Sequence, residues 1–275
     1  MKHITLSTLI LLFTSLSTAS VVNMFYNAPI SAPNMEILAG HPECSKYLSG
    51  GIPTFVQAGM DRLVHEFNLM PNTNAIIADF TCNMNHLFSY EVKGKTLIHN
   101  IEMSYRASGG RGAVTNVKRT GGTPPGVHEI YKKQGETEGW PLNYAIDGSK
   151  YGFKNHAVVP TTDLTFWGPK FVMTRILRLR GLEGKVNNNS RARSILIHGT
   201  PEEGLLGYHE SGGCIRMNNT EVIELYEQVE VGAFVNVVYG DKDYTINMKP
   251  RRYMEKSVYK EHGLICYDKE KCKKY

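Results

Sequence analysis

Two stretches of the sequence carry most of its information: Ile195-Leu196-Ile197-His198-Gly199-Thr200 and Ser211-Gly212-Gly213-Cys214-Ile215-Arg216-Met217. The first is an apolar run typical of a buried strand, and it delivers a histidine to the strand end. The second is a glycine-rich turn that presents a cysteine 16 residues after that histidine. A cysteine attacks as the thiolate, and a nearby imidazole can take the thiol proton. We therefore predict that the fold brings His198 and Cys214 together.

The glycines before the cysteine have a chemical consequence. Gly212 and Gly213 leave room for a substrate carbonyl beside Cys214. They also allow backbone N–H groups to point at the oxygen that becomes negative during attack on a carbonyl. This pattern favours a nucleophilic cysteine over a structural one, because a structural cysteine is usually flanked by apolar residues. A zinc site formed by His198, His209 and Cys214 is an alternative, but its spacing matches no standard ligand pattern.

Outside these stretches, hydrophobic periodicity predicts a mostly β fold with few helices. One helix is expected over Thr54–Leu69, between Pro53 and Pro71. A second is expected over Glu221–Val229, with its N-cap among residues 218–220. Residues 21–52 and the glycine-rich segment 109–122 are predicted to be irregular. Strands are predicted at 75–80, 87–92, 96–103, 126–131, 173–179, 194–198 and 233–239.

The composition limits the class of protein. The 275-residue chain is 41% hydrophobic and contains ten Phe and fifteen Tyr, which excludes wholesale disorder. No uncharged apolar run approaches the ~20 residues of a membrane-spanning helix. The net charge is +5, and residues 241–275, with ten Lys/Arg and six Asp/Glu, contribute +4 of it. We expect weak attraction of this basic tail to anionic surfaces, and no motif supports nucleic-acid binding.

The first twenty residues indicate export. Lys2 and His3 precede the uncharged, largely apolar run 4–16, and small residues follow at 17–20. This composition is typical of a secretory signal peptide, so residues 1–20 are excluded from the predicted fold. We expect the mature protein in the periplasm or cell envelope.

Four cysteines lie outside the glycine-rich turn, and in an oxidising compartment they can form disulfides. They are Cys44, Cys82, Cys266 and Cys272, and four cysteines allow three connectivities. We predict that Cys266 and Cys272, which are six residues apart, close a small loop in the tail, and that Cys44 then ties the N-terminal extension to Cys82. The sequence leaves the other two connectivities open.

The motifs, taken in order, resemble the L,D-transpeptidase catalytic-domain family (YkuD-like) of bacterial cell-wall enzymes. The family signature is His-Gly-Thr at a strand end, a glycine in the following loop, then Ser-x-Gly-Cys-Ile-Arg. Here the signature falls on residues 198–200, Gly207 and residues 211–216. Thr123-Pro124-Pro125-Gly126 and the strand Arg175–Gly181 also match. Many members carry a second histidine where this chain has Gly212.

The resemblance implies a fold and a domain division. The fold is an L,D-transpeptidase-like β-sandwich or barrel with a few short helices. The expected divisions are a signal peptide at 1–20, a partly helical N-terminal extension at 21–73, the catalytic domain at 74–240 and a basic tail at 241–275.

The resemblance also implies an activity. The enzyme would cleave the diaminopimelate–D-Ala bond of a peptidoglycan stem tetrapeptide through a thioester, and would transfer the acyl group to an amine. An L,D-carboxypeptidase that uses water as acceptor is one alternative, and a non-catalytic wall-binding or scaffold protein on the same fold is another. The expected partners are stem peptides, and neither a cofactor nor a metal is expected.

Each residue of the signature has an expected role in that reaction. Cys214 would be the nucleophile and His198 the base and then the acid, with the Gly199 carbonyl orienting the imidazole. The amides of Gly213 and Cys214 would form the oxyanion hole. Three further residues of the turn are expected either to lie near the substrate or to hold the turn in its conformation. They are Ser211, Gly212 and Arg216.

Overall fold

The structure is a computed structural model that describes residues 41–112, 114–135, 144–147, 158–160, 171–200, 206–209 and 211–240. The predictions for the signal peptide, for Cys266 and Cys272 and for the basic tail lie outside these residues.

The described residues contain ten strands in one sheet, and eight of these strands close into a ring. The ring order is β4-β10-β1-β2-β3-β9-β8-β7, and β7 pairs back with β4 to close it, while β5 and β6 extend from β7. The pairs β1–β10 and β8–β9 are parallel, and the others are antiparallel. The strands are β1 (Ala75–Asp79), β2 (Met84–Lys93), β3 (Thr96–Ser108), β4 (Gly126–Gln134), β5 (Tyr144–Asp147), β6 (Val158–Pro160), β7 (Phe171–Gly181), β8 (Leu196–Gly199), β9 (Ile215–Met217) and β10 (Phe234–Val238).

The predicted mostly β fold is therefore confirmed, and each predicted strand overlaps an observed one. The hairpin of β2 and β3 is longer than predicted: away from its turn at Gly94, β2 begins at Met84 and β3 continues to Ser108. Strands β5, β6 and β9 were not predicted. Each has only three or four residues, too few to show an alternating pattern of hydrophobic residues.

Three α-helices and one 3₁₀ helix accompany the described strands. Helix α1 (Thr54–His65) begins at the predicted residue but ends earlier, before Asn68 takes a left-handed conformation at φ 53°. The helix predicted near residue 221 is α3 (Asn219–Gln228). Two further helices lie where none was predicted: a 3₁₀ helix (Pro42–Ser49) and α2 (Gly184–Asn187). No helix among the described residues is long and apolar enough to cross a membrane.

The side chain of Asn218 caps α3. Its Oδ1 accepts hydrogen bonds from the backbone N–H groups of Thr220, at 2.9 Å, and Glu221, at 3.4 Å. This confirms the expected cap among residues 218–220 and identifies the residue. The cap also fixes where the helix starts relative to β9, which ends at Met217.

Two hydrophobic clusters cover the two faces of the sheet. The first contains Ile197 of β8 and Ile215 and Met217 of β9, and it includes the α3 residues Val222, Leu225 and Tyr226. The second contains Val56, Met60 and Leu63 of α1, packed on the other face. A Cβ atom at Gly59 would lie 2.7 Å from Cγ1 of Val238, so the glycine allows α1 to approach β10 closely.

A disulfide and a buried polar network hold the 3₁₀ helix against the turn between β1 and β2. Cys44 is bonded to Cys82, which confirms that pairing. The hydroxyl of Tyr47 lies 2.8 Å from Oδ2 of Asp79 and 2.8 Å from Nε2 of His86. Burial raises the pKa of Asp79 to about 7 and lowers the pKa of His86 to about 3. A neutral His86 can then donate to Tyr47, which donates to Asp79.

We expect the Cys44–Cys82 disulfide to contribute substantially to stability. The cysteines are 38 residues apart, and closing a loop of that length in the unfolded chain corresponds to about 4 kcal/mol. The double variant Cys44→Ser with Cys82→Ser should therefore unfold at a much lower urea concentration than the wild type. Equilibrium urea denaturation without reductant measures the difference, and a loss below about 1 kcal/mol would contradict this expectation.

Candidate active site

The parallel pairing of β8 and β9 places the two stretches singled out in the sequence side by side. Ile197 lies opposite Ile215, and His198 lies opposite Arg216. The side chains of Ile197 and Ile215 belong to the first hydrophobic cluster. Since successive side chains of a strand alternate, His198 and Arg216 point to the opposite face.

Cys214 immediately precedes β9 and is on the same face as Arg216 by this alternation. It lies beside Leu196, whose backbone N–H bonds to the sulfur. His198 is two residues further along the neighbouring strand, so strand spacing puts the two Cα atoms about 8 Å apart on the diagonal. The predicted juxtaposition of His198 and Cys214 is thus a consequence of the strand register.

His198 is held in one tautomer by the next residue. Its Nδ1 lies 2.6 Å from the carbonyl oxygen of Gly199. A carbonyl oxygen only accepts, so Nδ1 carries the proton and Nε2 keeps a lone pair. Burial lowers the pKa of His198 to about 4, the Gly199 carbonyl opposes this, and the Arg216 guanidinium adds to it. Near neutral pH the imidazole is therefore an uncharged base.

Cys214 is partly exposed and is the only free cysteine among the described residues. Its Sγ lies 3.3 Å from the carbonyl oxygen of Ser194, an arrangement that suits a protonated thiol acting as donor. Burial raises the pKa of this thiol above its usual range, while the Leu196 N–H and the guanidinium groups of Arg216, Arg193 and Arg178 act in the opposite direction. The free site thus holds a neutral thiol beside a neutral imidazole.

The side chain of Ser211 stabilises the turn through hydrogen bonds to its backbone. Its side chain is fully buried, and its Oγ donates to the carbonyl oxygen of Cys214 at 2.5 Å. The same Oγ accepts from the N–H of Gly213 at 3.0 Å. In this conformation the Gly213 amide, expected in the oxyanion hole, already has a hydrogen-bond partner.

The two glycines of the turn have different requirements. Gly213 has φ 123°, and a Cβ atom there would lie 3.1 Å from the carbonyl oxygen of Gly122 and 3.3 Å from Nη2 of Arg193. Gly212 is exposed, lies outside the left-handed region, and has open space around a Cβ position. Gly213 is thus required by the backbone, whereas position 212 has room for a side chain.

A platform of backbone groups supports the turn from the other side. The N–H of Ser211 donates to the carbonyl of Gly109 at 3.1 Å, and the N–H of Arg111 donates to the carbonyl of Ser211 at 3.0 Å. Thr123, in the upstream Thr-Pro element, accepts the N–H of Gly110 on its Oγ1 at 2.8 Å. The glycine-rich segment is irregular, as predicted, and it lies against the turn that carries Cys214.

Several residues of the site were not predicted. Arg193 donates to the carbonyl groups of Thr115 and Gly122, and Asn219 donates to the carbonyl of Thr200, just after His198. Ser194 supplies the carbonyl that faces the thiol. These residues contribute a backbone carbonyl, or a side chain that donates a hydrogen bond to one. No short sequence motif indicates contacts of this kind.

The zinc alternative finds no support in the contacts of His209. Both ring nitrogens of His209 face backbone carbonyl oxygens, those of Phe80 and Gly110, rather than Cys214. Within the described ranges, no group of three or more His, Cys, Asp or Glu side chains can hold a metal ion.

We expect alanine substitutions at the two glycines to differ sharply. Gly213→Ala forces a side chain into the left-handed region, which costs about 1–3 kcal/mol and displaces Cys214. Gly212→Ala is its matched control and should change stability by less than about 0.5 kcal/mol. Urea denaturation and the rate of Cys214 alkylation by iodoacetamide measure both effects. Equal behaviour of the two variants would contradict the assigned backbone requirement.

Comparisons with known proteins agree with the motifs. The model of the L,D-transpeptidase catalytic domain family, YkuD, matches residues 85–237, more than half of the chain. The Bacillus subtilis (strain 168) protein YqjB, named as a candidate L,D-transpeptidase, is 40% identical over 48 residues, which are 18% of this chain and 27% of YqjB.

Solved structures of L,D-transpeptidases also align with the chain. One from Mycobacterium smegmatis aligns at 19% identity and a TM-score of 0.33, over 60% of this chain and 58% of the other. One from Xylanimonas cellulosilytica DSM 15894 aligns at 15% identity and a TM-score of 0.36, over 70% and 76%. The chain thus spans about a quarter of the curated relative and just over half of the mycobacterial structure. On the match of the family model, the chain belongs to the L,D-transpeptidase catalytic domain family.

Proposed function

We propose that this protein is a cell-wall L,D-transpeptidase with Cys214 as nucleophile and His198 as base. The observation that carries the proposal is the hydrogen bond from His198 Nδ1 to the Gly199 carbonyl, which leaves Nε2 free as a base on the face that Cys214 shares. The donor substrate is a peptidoglycan stem tetrapeptide, and the bond cleaved joins diaminopimelate to the terminal D-Ala.

The first half-reaction forms a thioester. Nε2 of His198 takes the thiol proton while Sγ of Cys214 attacks the carbonyl carbon of diaminopimelate. The C–N bond to D-Ala then breaks, and His198 returns the proton to the departing amine. In the second half-reaction an acceptor amine attacks the thioester, loses its proton to His198, and forms the new amide. The proton then passes from His198 to the Cys214 thiolate, which restores the free enzyme.

Proton transfer and attack are coupled in this site. Burial raises the pKa of the Cys214 thiol and lowers the pKa of His198, so the charged thiolate–imidazolium pair is disfavoured before substrate binds. When a substrate carbonyl lies beside the thiol, the negative charge that develops during attack moves from the sulfur to the carbonyl oxygen. His198 therefore acts as a general base during the attack rather than beforehand.

The oxyanion is stabilised by the amide of Cys214. The Gly213 amide joins it when it exchanges Ser211 Oγ for the oxyanion, a stronger acceptor than a hydroxyl. Ser211 retains its second hydrogen bond, to the Cys214 carbonyl, and so continues to hold the turn. In this scheme Ser211 serves the turn, and the substrate does not contact it.

The charge around the thiol suits an anionic peptide. Arg216, Arg193 and Arg178 are close enough to Cys214 to lower its pKa, and stem peptides carry carboxylates. Their combined field attracts such a substrate and favours the thiolate leaving group. Gly212, which is exposed and adds no side chain, leaves the entrance beside Cys214 open.

The substrate lies outside the cytoplasmic membrane, so this function requires export. The composition of residues 1–20 predicts that export, and the basic residues of 241–275 would add weak attraction to the anionic envelope.

Mass spectrometry of muropeptides tests the proposed function. The mature protein incubated with tetrapeptide muropeptides should release D-Ala and form cross-linked dimers, and Cys214→Ala should form none. Val231→Ala, at an exposed position outside the site, provides an active control. Tripeptides without dimers would instead establish an L,D-carboxypeptidase, and the absence of any product would favour a non-catalytic wall-binding protein. Release of D-Ala by Cys214→Ala at the wild-type rate would refute the nucleophile.

The pH dependence of kcat/KM tests the role of His198. A base must be unprotonated, so activity falls as the pH drops through its pKa. Because burial lowers that pKa from 6.5 to about 4, the acid limb should lie near pH 4. Arg216 contributes to the lowering, so Arg216→Gln should move the limb to higher pH. An acid limb centred near 6.5 would show that His198 is not the buried base described above.

A further inference from the structure

His209 occupies the loop that leads to the catalytic turn, five residues before Cys214. It has no place in the family signature and no part in the proposed reaction. Its Nε2 lies 2.9 Å from the carbonyl oxygen of Phe80, and its Nδ1 lies 3.3 Å from the carbonyl oxygen of Gly110. The imidazole also meets the ring of Phe80 edge-on, with the centroids 6.1 Å apart. One side chain therefore bridges two backbone segments that are distant in sequence.

The two segments that His209 reaches are closely packed against the rest of the fold. Phe80 is fully buried, and its N–H donates to the carbonyl of Val238 at 3.1 Å. A Cβ atom at Gly109 would lie 2.8 Å from the Phe80 ring, and one at Gly110 would lie 2.2 Å from the carbonyl oxygen of Gly121. Both segments are thus closely packed parts of the fold, and His209 joins the loop to them.

The same segment carries the catalytic turn. Gly110 forms an isolated parallel bridge with Ser211, and the Ser211 N–H donates to the Gly109 carbonyl. Ser211 in turn holds the Gly213 amide and the Cys214 carbonyl. His209 thus fastens the loop to the platform only two residues before the serine that shapes the turn.

A second tether lies upstream of His209. The N–H of Gly207 donates to the carbonyl of Ala107 at 3.0 Å, and its carbonyl accepts from Nδ2 of Asn83 at 2.8 Å. These contacts fix the start of the loop, and His209 fixes its far end. Loss of His209 would remove the side-chain contacts that join residue 209 to Phe80 and Gly110.

The imidazole of His209 acts as a hydrogen-bond donor to a backbone carbonyl. Both of its partners are carbonyl oxygens, which only accept, so at least one ring nitrogen must carry a proton that points at a carbonyl. The shorter contact, to Phe80, identifies Nε2 as the donor in the neutral ring. An apolar side chain would leave this carbonyl without a donor, whereas a side-chain amide would replace it.

We propose that His209 is a positioning residue for Cys214. By donating to the Phe80 carbonyl, it anchors the loop that orients Ser211 and the catalytic turn, and so aligns the thiol with His198 and with the oxyanion donors. The inference rests on the proposed function in taking Cys214 as the nucleophile. It deepens that function by assigning the alignment of the nucleophile to a residue that does not touch the reacting atoms.

Three variants of the full-length protein test the inference. His209→Leu removes the donor, and His209→Gln keeps an amide donor of similar reach. His99→Leu is the control, because His99 lies on the α1 side of the sheet, beside Gln57 and Asp61. For each protein the folded fraction is measured by urea denaturation. The values of kcat and KM with a tetrapeptide donor and the rate of Cys214 alkylation as a function of pH are then expressed per folded molecule.

We expect His209→Leu to lower kcat about 10- to 100-fold with KM nearly unchanged, since a small misplacement of a reacting group has this effect. The alkylation profile should change with it, His209→Gln should recover most of the loss, and His99→Leu should match the wild type. A kcat for His209→Leu within about twofold of the wild type would overturn the inference, as would a His209→Gln variant no better than His209→Leu. If the wild type turns over no tetrapeptide but alkylation still depends on a donor at 209, the proposed function fails and the positioning role stands.

Discussion

The parallel register between β8 and β9 is the constraint on which the rest of the site depends. It sets Ile197 against Ile215 in the core and His198 beside Arg216 on the opposite face. A shift of one residue would exchange these faces, placing the imidazole among the aliphatic side chains of the first cluster and removing two isoleucines from it. The apolar side of these two strands therefore fixes the geometry of the polar side. The placement of His198 and Cys214 thus depends on hydrophobic packing on the other side of the two strands.

Closure of the sheet makes that register rigid. Strand β8 pairs with β7, which pairs with β4, and β9 pairs with β3, so both strands of the site are interior members of a ring. A ring has no free edge along which a strand can slip. Helix α3 packs across the apolar face and fastens the residue after His198–Gly199 through Asn219 and Thr200. On the other face, α1 and the disulfide-linked 3₁₀ helix cover what would otherwise be exposed apolar surface.

The sequence predicts those parts of the fold that depend on local patterns of hydrophobic residues or on the preferences of single residues. Strands such as β1 and β7 are long enough to show an apolar run in the sequence. Asparagine has a strong preference for the N-cap position, which Asn218 occupies in α3. The pairing of His198 with Cys214 was predictable because their residue types have a joint chemistry. In contrast, the three-residue strand β9 and the seat formed by residues 109–112 depend on contacts between distant segments. Likewise, the sequence makes Gly212 and Gly213 look equivalent, and only the backbone angle and the neighbouring carbonyl separate them.

Burial of the thiol and the imidazole has a consequence beyond the reaction. A thiolate is the form that reacts with oxidants and with disulfides, so a thiol whose pKa is raised is protected from both. The same chain carries the Cys44–Cys82 disulfide, and its sequence predicts export to an oxidising compartment. A nucleophile kept as an ion pair there would be exposed to mixed disulfide formation. In the proposed reaction, a neutral thiol that loses its proton to His198 only as a carbonyl is attacked can remain reduced where Cys44 and Cys82 form a disulfide. The neutral pair thus reconciles a reactive cysteine with the compartment in which its proposed substrate lies.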